Sequence, residues 1–370
     1  MCQILIHLGD SLPPNLIRLL TGIGKIAASR FDFVIVGTGL NSSQLPDRYR
    51  YYNVPDASTN RGLTEMVATY RRLNSYIKNT PTRPDAIWQL TAPHFHAVPT
   101  VVAAHRWRIP VATRIPGNKF DEYQKQSSVI KKGKTYFMNN LLLRLIRFSE
   151  AVVVLSEYNK HRIQEHGIPE EKIHLLRQPL DTEVFAPVDE NRREGLREKL
   201  GFSSRKYNIL YVGRISELKG MPTLDLITKD LSCDDYEFHL VGDGPCRSTF
   251  ENKQNVTCHG FVDPKELHQY YKASDLYLHP SHTEEQGISW TMIEAAATSI
   301  PVVARNIGNA SKVATSVFSD TDELLSYLRS PSDWTSAPYP VEWSLKHLEP
   351  KYNTFFSKLI SGNNITMDVL

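Results

Sequence analysis

Short runs rich in β-branched residues recur along the chain between longer stretches with helical spacing: CQILIH, FDFVIV, DAIWQL from Asp85, IPVATR from Ile109 and AVVVL from Ala151. That alternation predicts a parallel sheet flanked by helices. The rhythm breaks at QPLDTEVFAPVDENRREGLREKLGF, which contains prolines and then becomes rich in charge, and it restarts with YNILYVG at Tyr207, EFHLVG, NVTCHG, DLYLHP and IPVVA. A second α/β unit is therefore expected. Near the end, Tyr352, Phe355, Phe356, Leu359 and Ile360 follow the i, i+3, i+4, i+7, i+8 spacing of a helix with one apolar face, which must pack on something. A cleft between two such units is the natural ligand site.

Size and charge agree with this division. The chain has 370 residues, 41% of them hydrophobic, more than one core usually organises. Its 43 Lys plus Arg against 40 Asp plus Glu leave a net charge of +3, far from the basic excess of a general nucleic-acid binder. Cys2, Cys233, Cys246 and Cys258 form no CxxC pair, which points to neither a disulfide framework nor a zinc site and fits a reducing cytoplasm. The first twenty residues lack a secretory pattern, and no run of about eighteen apolar residues occurs.

Three segments carry candidate chemistry. In YVGRISELKG an apolar strand ends at Gly213, and Arg214 and Lys219 follow at its carboxyl end, where ligands of open α/β sheets bind. Two fixed cations there can hold a diphosphate and stabilise the charge that grows as a glycosidic bond breaks. Taken singly, such a pair reads as a solvated turn. In HLVGDGPCR, Gly242 and Gly244 follow a strand, but Arg247 replaces the third glycine of a dinucleotide fingerprint; VGTGLNS has Ser42 in that place, so a nicotinamide site is not expected. Those glycines either serve a ligand or only make tight turns. In DLYLHPSHTEEQGISWTMIEAAATSIPVVA, a helix is expected to start near Ser289, after Gly287. Its first amides suit a phosphate, and Glu294, one turn in, either accepts from sugar hydroxyls or merely complements the helix dipole.

Taken in order, strand-Gly-Arg-x4-Lys-Gly, VGDGP, HGFVDPKELHQYYKASDLYLHPS and the acid-bearing helix before PVVA resemble the carboxyl-terminal domain of the retaining family-four glycosyltransferases, glycosyl transferases group 1. The match spans about residues 207 to 310. The resemblance implies an α/β protein of the GT-B fold, two Rossmann-like domains with parallel sheets facing a central cleft. It implies an acceptor-binding domain at 1–187, completed by a helix at 344–370, and a nucleotide-sugar-binding domain at 188–343. Arg214 and Lys219 would grip the donor diphosphate and Glu294 the ribose. Gly213, Gly242, Gly244, Glu285, Gly287, Ile288, Ser289, Trp290 and Thr291 would line the donor, with the turn at Cys258 to Phe261 near the base.

One position departs from the pattern. The family usually carries a second glutamate eight residues before the helix glutamate, and here that residue is Gln286, directly after Glu284 and Glu285. Either one of those acids reaches the donor sugar or Gln286 does so as a neutral partner. An amide there argues against a carboxylate nucleophile and for attack on the same face, assisted by the leaving phosphate. In the first half, the resemblance places Gly9, Arg114 and Asn118 on the acceptor or donor-sugar side, with Arg114 where many members carry a histidine. His94 and His96 read as structural.

Lys125, Lys131, Lys132 and Lys134 precede an apolar pattern through Phe137, Met138, Leu141, Leu142, Leu145 and Ile146, interleaved with Arg144 and Arg147. The lysines are candidates for an anionic membrane surface, and the apolar residues are expected to face the core. No cofactor and no metal site are expected: Asp320-Thr321-Asp322 reads as a helix start, and the nucleotide-sugar is a substrate. The expected protein is a cytoplasmic hexosyltransferase, associated with the membrane's cytoplasmic face through those lysines, with no nucleic-acid partner. The alternatives are a catalytically silent nucleotide-sugar binder within a glycan-assembly complex and a GT-B enzyme of another reaction type.

Overall fold

The computed structural model describes residues 1–8, 14–37, 48–53, 63–91, 93–117, 128–137, 140, 143–283 and 288–362. The chain forms two compact units: residues 1–180 with 345–370, and residues 181–344. The first break falls seven residues before the expected 187/188, because the segment after Leu180 packs within the second unit. There Lys272 Nζ donates to Val184 O at 2.8 Å, and the Phe185 ring lies 6.0 Å from that of Tyr271.

The first unit holds β1 (Cys2–His7), α1 (Pro14–Ala27), β2 (Phe31–Gly37), β3 (Arg50–Asn53), α2 (Leu63–Asn79), β4 (Ala86–Gln89) and α3 (Val98–Trp107). It continues with β5 (Val111–Ile115), α4 (Val129–Phe137), β6 (Ala151–Val154), α5 (Glu157–Glu165) and β7 (Ile173–Leu175), and it closes with α11 (Leu345–Ser361). Its strands lie in the order β3-β2-β1-β4-β5-β6-β7, all parallel. The pleat sends alternate residues to opposite faces. Ile4, Ile6, Phe33, Ile35, Trp88, Ala112 and Val153 meet α1 and α11, whereas Leu5, Val34, Val36, Ile87 and Val111 meet α2 and α3. Both faces are dry, which is why these strands read as apolar runs.

In α11, Tyr352, Phe355, Phe356 and Leu359 are buried as their spacing predicted, and Ile360 packs at the margin. The Phe356 ring sits 5.4 Å from Phe31, 5.4 Å from Phe33 and 5.2 Å from Trp88. The final helix therefore completes the core of the unit begun by the first residues.

The second unit holds α6 (Glu190–Leu200), β8 (Tyr207–Val212), α7 (Met221–Asp230), β9 (Tyr236–Val241), β10 (Val256–Gly260), α8 (Leu267–Ala273) and β11 (Leu276–His279). It ends with α9 (Trp290–Ala297), β12 (Val302–Arg305), β13 (Ser316–Phe318) and α10 (Thr321–Leu328). Its sheet is also parallel, in the order β10-β9-β8-β11-β12-β13. The order reverses between β8 and β11, and in the first unit between β1 and β4. At such points the loops leave the sheet in opposite directions and open a site at the strands' carboxyl ends.

Candidate active site

The loop after β8 meets the loops after β9 and β11 backbone to backbone. Gly213 N donates to Val241 O at 3.0 Å, Ile215 N to Asp243 O at 3.0 Å, and Cys246 N to Ile215 O at 3.1 Å. A side chain on Gly242 would place its Cβ 2.0 Å from Gly213 O, and one on Gly244 would lie 2.3 Å from Ile215 O. These glycines are thus fixed by close backbone approach, which holds the Arg214 loop in place. Gly220 ties the far end of that loop to β11: His282 N donates to Leu218 O at 3.0 Å, and a Cβ on Gly220 would stand 2.1 Å from Pro280 O. Gly220 also has φ +84°, a conformation that side chains disfavour. Gly220→Ala is expected to lower the stability of the second unit by about 1–3 kcal/mol and to weaken nucleotide affinity, read by thermal melting and calorimetry.

Arg214 is exposed and Lys219 half-buried on this loop. Among the described residues neither forms an ion pair, whereas Arg247 meets Glu251 at 2.7 Å and Arg197 meets Asp275 at 2.6 Å. Tyr211 Oη donates to Arg214 O at 2.8 Å, fixing the backbone from which the guanidinium projects. Two cations at the switch point, uncompensated among the described residues, leave their charge for an anion.

Ser289 is the N-cap of α9 but makes no side-chain cap; its Oγ lies 3.0 Å from Thr291 Oγ1, which accepts from Tyr277 Oη at 2.6 Å. Ile288, Ser289, Trp290 and Thr291 are all half-buried at this helix start. Glu294 has no exposed surface, and its Oε2 accepts from Tyr271 Oη at 2.8 Å. Tyr271 of α8 thus orients this carboxylate one turn into α9. Glu284, Glu285, Gln286 and Gly287 lie outside the described residues.

In the first unit Arg114, near the end of β5, is 2% exposed, and Gly9 and Asn118 lie outside the described residues. On the opposite face of that sheet a buried polar network joins β1, α2 and α3, and the sequence reading did not anticipate it. Glu65 pairs with Arg72 and lies 3.4 Å from His96 Nε2; Thr91 Oγ1 is 2.8 Å from His96 Nδ1. Thr100 Oγ1 donates to His96 O at 2.5 Å and reaches His7 Nδ1 at 3.2 Å. The available signal was a polar residue ending each apolar strand, His7 on β1 and Gln89 on β4. The His94 side chain lies outside the described residues, whereas His96 is buried in this network.

Residues 206–337 match the family described as Glycosyl transferases group 1, and residues 24–184 match Glycosyltransferase Family 4. The chain belongs to the family-four glycosyltransferases. It is 25% identical over 312 residues to the putative teichuronic acid biosynthesis glycosyltransferase TuaC of Bacillus subtilis (strain 168), covering 82% of this chain and 75% of that one. It is 28% identical over 171 residues to an uncharacterized 41.2 kDa protein in the cps region of Klebsiella pneumoniae, a match spanning 46% of each chain. The crystal structure of Anabaena Alr3699/HepE in complex with UDP and glucose superposes with a TM-score of 0.73 at 16% identity, covering 98% of this chain and 100% of that chain. The fold is GT-B.

Other parts of the glycosyltransferase bear on its chemistry. Asp320 caps α10, its carboxylate accepting from Glu323 N at 2.9 Å. Among the described residues no group of three or more His, Cys, Asp or Glu is placed to hold a metal ion. Lys131 and Lys132 lie exposed on α4 itself, beside Val129 and Ile130, which are 85% and 83% exposed. Phe137 and Leu145 are exposed too, against the core-facing expectation, whereas Ile146, in a short 3-10 turn at Leu143–Phe148, is buried in the core. Lys125, Met138, Leu141 and Leu142, and the Lys134 side chain, lie outside the described residues. No described helix is long and apolar enough to cross a membrane.

Burial holds three histidines of the glycosyltransferase neutral. His7 lies well below its ordinary value, through desolvation and then repulsion by His96 and Arg72, while His174 is pushed down to about 4 and His239 to about 3, desolvation leading in both. The unfolded chain binds these protons below about pH 6.5 and the folded chain does not. Stability is therefore full above that pH and falls as the solution is acidified, by about 1.4 kcal/mol per pH unit for each histidine until its folded value is reached. Denaturant melts between pH 7 and 4.5 check this; a midpoint that stays flat over that range would refute it.

Proposed function

We propose that the protein transfers a sugar from a nucleotide-sugar donor to a glycan or lipid-linked acceptor, with retention of configuration and without a metal ion in the chemistry. The observation that carries this reading is the pair Arg214 and Lys219, free of carboxylates among the described residues, on a loop locked at the switch point of the second sheet. In the reaction the bond between the anomeric carbon and the diphosphate oxygen breaks, and the departing diphosphate keeps the electron pair. The acceptor hydroxyl bonds to the anomeric carbon from the same face and gives its proton to that phosphate oxygen. The two cations stabilise the leaving charge, the role a metal plays in other transferases.

The test is a screen of purified protein against UDP-, GDP-, ADP- and dTDP-sugars for thermal stabilisation and slow nucleotide release. UDP comes first, since Anabaena Alr3699/HepE was crystallised with it. One donor that stabilises and is hydrolysed supports the reading; binding without turnover in the presence of acceptors favours a silent binder, which the buried Glu294 carboxylate and Gln286 would explain.

A lipid-linked acceptor accords with α4, whose exposed Lys131, Lys132, Val129 and Ile130 suit an anionic membrane surface on the cytoplasmic side. Replacing both lysines by alanine is expected to weaken binding to phosphatidylglycerol vesicles by about 2 kcal/mol, roughly 30-fold. Equal sedimentation with vesicles by the variant and the wild type would remove the membrane contact from the proposal.

A further inference from the structure

Three arginines are buried among the described residues: Arg72, Arg114 and Arg197. Two of them are compensated. Arg72 pairs with Glu65, and Arg197 binds Glu194 at 2.8 Å, Asp275 at 2.6 Å and Ala273 O at 3.0 Å. Arg114 is different. At 2% exposure its Nη1 makes one long bond, 3.5 Å to Leu90 O, and its Nε and Nη2 have no hydrogen-bond acceptor among the described residues. The neighbour that acts on its charge is the Tyr352 phenol, whose hydroxyl already donates to Arg177 O at 3.0 Å. Burial lowers the guanidinium to about 10, so it is still charged at neutral pH.

A buried charge with unfilled donors is costly, and an apolar residue of the same length would pack there without that cost. The position says what the charge is for. Arg114 stands next to the last residue of β5, and Leu90, its acceptor, is the first residue past β4, at the carboxyl edge of the sheet beside the β1/β4 switch point. The unfilled groups are all N–H donors in the planar fork that matches an oxyanion, and such groups bind carboxylates and phosphates in a bidentate manner.

We propose that Arg114 is an oxyanion-binding residue of the first unit, receiving the carboxylate or phosphate of an anionic sugar substrate. That the anion is a substrate rests on the transferase reading; that Arg114 binds an oxyanion does not.

The test is a ligand-detected NMR titration of the full chain with glucuronate, glucose 6-phosphate and glucose, using wild type, Arg114→Lys and Arg114→Met. UDP and GDP affinity is measured separately on each protein. Wild type is expected to bind one anionic sugar at least tenfold more tightly than glucose. Preference for glucuronate assigns a sugar carboxylate, and preference for glucose 6-phosphate a phosphate ester. Arg114→Met is expected to lose that preference while it melts no lower than wild type and keeps nucleotide affinity, and Arg114→Lys to retain part of the preference. Glucose binding as tightly as both anions, or Arg114→Met binding them unchanged, would overturn the proposal. Absence of nucleotide binding in every protein would instead count against the transferase reading and leave the oxyanion result to stand on its own.

Discussion

Arg214→Ala is expected to lower kcat/KM for sugar transfer by about 10²- to 10³-fold, the usual cost of removing one group aimed at developing charge. The melting temperature should barely move. Arg214 is exposed and, among the described residues, joins no ion pair, so its removal strands no buried partner. Lys219→Ala should act in the same direction, and the double variant should lose less than the product of the two, because both cations serve one diphosphate. Initial rates at saturating acceptor, together with calorimetry of the free nucleotide, separate weaker donor binding from lost stabilisation of the leaving group. A variant that transfers at the wild-type rate would remove Arg214 from the site.

The second large effect concerns the end of the chain. Truncation after Ser344 removes Leu348, Tyr352, Phe355, Phe356 and Leu359, each at most 2% exposed in the first unit. At about 1.5–3 kcal/mol for each buried side chain the loss is roughly 7–15 kcal/mol, as large as the whole stability of a typical domain. The first unit is expected not to fold, while residues 181–344 keep their own core and their nucleotide affinity. Denaturant unfolding of the full chain need not be two-state, and the truncated chain should lack one transition while it retains the other. Phe356→Ala is the point version, expected to cost about 3–5 kcal/mol.

The long central strands were legible because each is buried on both faces and therefore spells an apolar run. Three of the four edge strands among the described residues were not. β3, β7 and β13 run three or four residues, and β3 is mostly exposed, so neither length nor pattern marks Arg50–Asn53 as a strand. The start of α9 at Ser289 and the cap at Asp320 could be read locally, since a cap depends on its own turn. The environment of Glu294 could not, because Tyr271 approaches it from 23 residues away. The same holds for Arg114: a lone arginine in VATRI carries no sign that, among the described residues, no carboxylate meets it. The α4 region failed for another reason. A pattern of apolar pairs fixes the spacing of a face but not what lies opposite it, so Phe137 was expected inside and lies outside.

The placement of α11 also orders events during synthesis. The sheet of the first unit is complete in sequence by Leu175, yet the helix that covers one of its faces ends at Ser361. At about 5–20 residues per second the ribosome needs roughly ten to forty seconds to make the intervening chain. Through that interval Ile4, Phe33 and Trp88 lack the part of their cover that α11 supplies beside α1, while the later unit, contiguous in sequence, is free to fold first. The half made earliest thus matures last, and the nascent chain has reason to recruit a chaperone that shields apolar surface until translation ends.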